Sequence, residues 1–292
     1  MHKMRPVKKV ALLHDLCGVG KAALTNMVPV LSVMGIEACP IPTILLSTHT
    51  GGYGKPAMDL IFERMPATLE LVAVAACLVL CIAIPLGVYA GAYPKRASSK
   101  LIMSGSILGI SLPSFWVGMM MIYIFAVVLR LLPASGRGNT VMVGNVALSI
   151  FAPGGIRYVI LPAITLALTN VATMLRLTRS GILENMRQDY IKFARAKGVP
   201  AKSILFGHAL KNALIPVVTI FGMDLGNMIA FTTITETIFA WPGMGKLLID
   251  AINKSDRPII VAYLMAAACM FVVLNFIVDI LYTLIDPRIE LR

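Results

Sequence analysis

Few side chains in this sequence are equipped for chemistry. Asp224 interrupts the otherwise uncharged apolar run 212–235. A carboxylate at that depth is costly unless it faces a cavity, faces a partner or carries a proton, so two roles stay open: lining a polar pathway, or an interhelix hydrogen bond. Cys77 and Cys81 share a helix face at i,i+4 and would suit a soft metal, but no His or third Cys accompanies them. They read as small packing residues, and no metal site is expected. A Gly-Lys pair at Gly20-Lys21 hints at a phosphate loop, yet Asp15 stands where its first Gly belongs and Ala22 follows the Lys, so ATP chemistry is not expected of this chain. Gly18, Gly20 and Ala23 satisfy a loose dinucleotide fingerprint. The βαβ unit of about 30 residues that it requires is not expected to fit before the apolar region begins.

The elements that hold these residues belong in lipid. Of 292 residues, 58% are apolar and 14% charged, outside the range of ordinary soluble domains. The net charge of +12 is spread through short connections between apolar runs, which argues against a nucleic-acid-binding patch. Five runs, at 71–93, 101–129, 158–175, 212–235 and 258–278, are long enough for helices crossing a bilayer core of about 30 Å. Lys and Arg concentrate in 94–100, in 176–211 and in the C-terminal tail, while Arg130, Arg137, Arg157, Lys246, Lys254 and Arg257 populate the alternate loops more thinly. The positive-inside bias therefore places the C-terminus in the cytoplasm and the start of the first span outside. Trp116 and Trp241 are too few to mark an aromatic belt. Gly87 with Gly91, Gly105 with Gly109, and Gly222 with Gly226 have the spacing that lets helix backbones approach closely. The basic N-terminus is not followed by a sustained apolar core, so a signal peptide is not expected. Five cysteines, an odd number with three in apolar runs, imply no disulfide framework.

Segment 176–211 is too polar to be embedded. Within it Tyr190, Phe193 and Ala194 share one face of a short amphipathic helix, Lys192 and Arg195 lie away from that face, and Gly198 with Pro200 supplies a stop. Such a helix either lies on lipid headgroups or docks on a partner.

Here the residues resemble a known family. Ala194-Arg195-Ala196-Lys197-Gly198, followed by His208-Ala209-Leu210-Lys211-Asn212-Ala213-Leu214-Ile215-Pro216, resembles the cytoplasmic loop motif of binding-protein-dependent ABC importer permeases, in the variant of the dipeptide, oligopeptide and nickel subfamily. Glu236-Thr237-Ile238-Phe239-Ala240-Trp241-Pro242-Gly243-Met244-Gly245 and the terminal Leu284-Ile285-Asp286-Pro287-Arg288 add to it. The resemblance covers 57–292 and implies an all-α, polytopic, type-1 permease fold in the cell membrane, to which the five apolar runs contribute five transmembrane helices. It implies that Tyr190, Phe193, Ala194, Arg195, Ala196 and Gly198 couple the spans to separate ATP-binding subunits. A second, different permease chain and an extracellular or periplasmic binding protein complete the expected assembly. No cofactor is expected. Glu236, inside the second motif, is expected to organise the outer loop or lie by the pathway; the cargo is expected to be peptides, with nickel and glutathione as alternatives.

Residues 1–56 read differently, as a short α/β-like fragment: a strand at 10–13, a Gly-rich turn, and a helix-like run at 22–33. Val10-Ala11-Leu12-Leu13-His14-Asp15-Leu16-Cys17-Gly18 and Leu46-Ser47-Thr48-His49-Thr50-Gly51-Gly52-Tyr53 resemble the N-terminal edge of pyridoxal or pyridoxamine kinases. The nucleotide and anion-hole residues of those enzymes have no counterpart downstream, so the fragment is not expected to be independently functional. It occupies the place of the subfamily's usual first span and extracellular stretch, hence five spans rather than six. The alternatives to an importer permease are a non-transporting fusion product and a remnant kinase-like enzyme.

Overall fold

The computed structural model describes residues 9–14, 37–42, 55–144 and 146–285. Strands β1 (Lys9–His14) and β2 (Glu37–Pro42) pair in parallel, from Lys9 opposite Glu37 to His14 opposite Pro42. Parallel strands need a long crossover, and residues 15–36 provide the length. A second parallel strand therefore fits before the apolar region, contrary to the expectation from sequence; Pro40 and Pro42 had weakened its strand signature. The expected helix-like run at 22–33, the Asp15–Ala22 and Gly18/Gly20/Ala23 segments, and residues 46–53 lie outside the described residues.

The rest is mostly helical. Helix α1 (Ala57–Ala92) starts well before the expected 71, because its apolar period runs on through Leu60 and Ile61 while Glu63, at its solvated start, pairs with Lys55 at 2.8 Å. The expected single span 101–129 is corrected to two helices, α2 (Ala97–Ser111) and α3 (Ser114–Val128), bent by 105°. The cause is Leu112-Pro113: a residue before proline avoids the helical region, and the two take ψ of 130° and 135°. Among the described residues four helices are long and apolar enough to cross a membrane, and the bent pair is either a broken fifth span or a re-entrant hairpin.

A hairpin of β3 (Val141–Val143) and β4 (Val146–Leu148) decorates the connection to α4 (Ile156–Asn185). Then follow α5 (Asp189–Ala196), α6 (Ala201–Ile238), α7 (Met244–Asn253) and α8 (Arg257–Ile285). Helices α4 and α6 both outrun their apolar windows, which leaves a shorter polar connection than 176–211.

The chain divides into two compact units, Met1–Met65 with Leu247–Ala266 and Pro66–Lys246 with Ala267–Arg292. In the first, Ile61, Ala251 and Ile259 are fully buried. The second is built around α4, the most enclosed of the spanning helices. Small residues spaced four apart on α1, Ala75, Val79 and Ala83, pack with Val159, Ala163 and Met174 of α4, Val217 and Met228 of α6, and Trp241. Two of the expected glycine pairs sit at helix crossings: Gly87 and Gly91 meet Thr178 and Ile182, while Gly222 and Gly226 meet Val278 and Phe271. The third is not a tight crossing, since Gly105 faces open space and Gly109 makes only ordinary contact with Ala172.

Candidate functional site

Polar and charged residues gather at both ends of the larger unit. At one end, α5 follows α4 after three residues. Gln188 enters in an extended conformation, and Asp189 in the first turn suits the helix dipole. Lys192, 2.8 Å away, holds the Asp189 carboxyl below the usual carboxylate range. The helix closes on a complete C-terminal motif: the Val199 N–H donates to Ala194 O (3.1 Å), and the Gly198 N–H to Arg195 O (2.9 Å). Gly198 has φ of +77°, which only glycine adopts without penalty, although a Cβ there would meet no atom within 4 Å.

The face that seats α5 is not the expected trio. Ile191 is fully buried with Val88 of α1, Ile182 of α4, and Ile204, Ala209 and Ala213 of α6, and Ala194 and Val199 pack against this cluster. Phe193 is 62% exposed and Tyr190 40%. An eight-residue helix has one narrow inward stripe, and here Ile191 and Ala194 at i,i+3 occupy it. Tyr190 acts as a polar clamp instead: its hydroxyl donates to Asn185 Oδ1 (2.7 Å) and accepts from Asn212 Nδ2 (3.0 Å), joining α4 to α6. Phe193, Arg195, Ala196 and Lys197 face outward, with Lys197 Nζ 4.5 Å from the centre of the Phe193 ring.

At the opposite end two buried carboxylates organise the loops. Glu236, near the end of α6, is fully buried. Its Oε1 accepts from Thr68 Oγ1 of α1 (2.6 Å) and its Oε2 from the Lys246 N–H (2.9 Å), while Thr68 Oγ1 accepts from the Met244 N–H (2.9 Å). Trp241, fully buried, donates Nε1–H to Ala67 O (2.9 Å), so this tryptophan is a core residue. A Cβ on Gly243 would collide with the Glu236 carboxylate, which explains glycine there.

The second carboxylate, Glu70, was not singled out from sequence. Its Oε1 accepts from Ser149 N–H (2.7 Å), Ser149 Oγ (2.9 Å) and Ile150 N–H (2.7 Å). Its Oε2 accepts from Arg137 Nε (2.9 Å) and Nη2. Arg137 also donates to Ala147 O (2.6 Å) and lies 5.7 Å from the centre of the Trp241 ring. A lone Glu in the otherwise uncharged stretch 65–92 of α1 was the available signal. Gly136 N–H donates to Phe239 O (2.8 Å), joining the loop before α4 to the loop after α6.

Asp224 is brought to neither end. It is half-buried on α6, next to Asn227 and flanked by exposed Ile220, Met223 and Phe231.

Comparison with known proteins places this arrangement. Residues 83–291 match the family described as binding-protein-dependent transport system inner membrane component. The chain is 41% identical over 237 residues to the oligopeptide transport system permease protein AppB of Bacillus subtilis, covering 81% of this chain and 73% of that protein. It is 35% identical over 250 residues to the dipeptide transport system permease protein DppB of Escherichia coli K12, covering 80% and 74%. Among solved structures, a fold likeness links it to the inward-facing MetNI methionine ABC transporter, with a TM-score of 0.60, 15% identity, and 78% and 97% of the two chains covered. An amino acid ABC transporter with histidines gives a TM-score of 0.53 at 15% identity, covering 79% and 94%.

Proposed function

Since this chain belongs to the binding-protein-dependent transport system inner membrane components, we propose that it carries peptides across the membrane, with α5 as the link to a separate ATPase. The chain is a membrane permease subunit of an ABC importer and not itself an enzyme. The peptide cargo is supported by relatives named for oligopeptide and dipeptide transport.

The observation that carries the coupling reading is the seat of α5. Ile191 and Ala194 fix it to the ends of three long helices, and Tyr190 bonds to two of them. A push on its outward residues Phe193, Arg195 and Ala196 therefore reaches α1, α4 and α6 directly instead of dissipating in a loop. Nucleotide-driven closure of the ATPase would bias the bundle between its inward and outward arrangements by this route. The Lys and Arg bias puts this end, and the C-terminus, in the cytoplasm.

The outer end then receives a binding protein, and a second permease chain completes the pathway. Asp224 and Asn227 lie toward that chain or that pathway, because a half-exposed polar pair facing lipid would be costly. Residues 1–56 are a kinase-like fragment that does not function independently, a reading that the parallel β1–β2 pair supports.

Purification of the tagged full-length chain from its native membrane, scored for a bound ATPase subunit, tests the coupling. Wild type recovers the ATPase; Ala196→Glu, at an exposed position, loses it without a change in thermal unfolding. Equal recovery with both chains refutes the assignment of α5.

A further inference from the structure

The stretch from the end of α3 into the first turn of α4 carries three arginines, Arg130, Arg137 and Arg157, treated unequally by the fold. Arg137 is given a carboxylate, Glu70. Among the described residues, neither Arg130 nor Arg157 has a carboxylate or any other side-chain partner. Both line one cleft of about 510 Å³, together with Asn139, Tyr158, Leu131 and Pro153.

Both arginines are exposed, so two guanidinium groups without a carboxylate give the cleft a positive charge, and the site adds to it. Arg157 is the second residue of α4, where the helix dipole disfavours a cation. An anion in the cleft relieves both terms, and guanidinium groups suit phosphate oxygens through paired N–H donors.

The surroundings say where that anion comes from. Arg130 lies two residues beyond the apolar helix α3, and the residues at the cleft or near it in sequence include large, apolar, exposed side chains: Val128 58%, Leu129 49%, Leu131 62%, Phe151 65% and Ile156 52%. Cations close in sequence to exposed apolar side chains match the boundary between headgroups and acyl chains, where long basic side chains reach up to phosphates. The cleft lies at the end of α4 opposite α5, because a helix of 30 residues spans about 45 Å.

We propose that the Arg130–Arg157 cleft binds the phosphate of an anionic phospholipid, with its acyl chains along the exposed apolar side chains of this rim. A lipid bearing its own ammonium group fits less well, because that cation would stand beside two guanidinium groups. The inference needs only a membrane-embedded chain, so it stands or falls separately from the peptide and coupling assignments.

Native mass spectrometry of the full-length chain in detergent, titrated with phosphatidylglycerol, phosphatidylcholine or inorganic phosphate, tests it. Near a membrane surface each basic side chain contributes a factor of about five, so Arg130→Gln with Arg157→Gln weakens phosphatidylglycerol retention about thirty-fold. The double lysine variant keeps most of the retention, and Lys95→Gln with Lys100→Gln changes nothing at this site. Equal retention by wild type and the double glutamine variant overturns the proposal. Displacement of the lipid by millimolar inorganic phosphate overturns the lipid assignment in favour of a free-anion site. Loss of binding-protein capture with lipid retention unchanged overturns it in favour of a protein-docking site.

Discussion

Glu70→Gln is expected to free the loop before α4 while leaving the far end of the bundle unchanged. The Glu70 side chain is 2% exposed and that of Arg137 10%. A glutamine can keep its oxygen at the Oε1 position, satisfying Ser149 and Ile150, but its amide then turns N–H groups toward the Nε and Nη2 of Arg137. The guanidinium is left buried and facing donors. Removing one partner of a buried ion pair costs about 3–5 kcal/mol. Arg137 retains Ala147 O and the face of Trp241, which brings the cost to or below the lower end of that range, about 2–3 kcal/mol. That energy raises the population of the opened loop by roughly 30- to 150-fold. Trypsin reads it directly, because cleavage after Arg137 follows the open population when reclosing is fast. The exposed Arg195 on α5 and Lys197 just after it serve as internal controls and should be cut at wild-type rates. Cleavage after Arg137 within threefold of wild type would refute the claim that this ion pair holds the loop.

Gly243→Ala places a methyl group against the Glu236 carboxylate and should lower the thermal unfolding temperature in detergent, whereas Gly105→Ala, facing open space within a helix, should leave it unchanged or raise it. Equal shifts for the two would show that the loop after α6 yields freely. Gly198→Ala is strained by backbone conformation and not by space, at about 1 kcal/mol, so hydrogen exchange at residues 194–199 should quicken by about fivefold. Gly198→Asn, which tolerates a left-handed backbone better, should show less, and identical exchange in all three chains would remove the strain argument.

Apolar length alone located the spans, because lipid demands it regardless of neighbours. It did not locate their ends. α1, α4 and α6 run past their apolar windows since intrahelical hydrogen bonds continue wherever no proline or glycine stops them, and charged residues such as Arg176 and Arg179 are acceptable at a membrane boundary. The break at Leu112-Pro113 was visible as a residue pair, yet Pro66, Pro85, Pro162 and Pro216 are carried inside helices. Proline in a membrane segment therefore marks a site of weakness, and packing decides whether the chain bends there.

The site was legible where chemistry is local and obscure where it depends on distant partners. Gly198 and Pro200 announced the end of α5 because a left-handed residue is a backbone requirement of its own turn. Glu70 could be recognised as an organiser only together with Arg137, Ser149 and Ile150, which lie 67 to 80 positions away. Periodicity misassigned α5 for a third reason. An eight-residue helix makes barely two turns, so Tyr190, Phe193 and Ala194 form as good an apolar stripe as Ile191 and Ala194. What separates them is the cluster waiting at Val88, Ile182 and Ala213, contributed by three other helices. Ile191 fits that cluster without leaving a polar atom unpaired. Tyr190 buried in its place would have to give up its hydroxyl bonds to Asn185 and Asn212, so the side chain with no polar group to satisfy takes the core and the aromatic side chains stay on the outside.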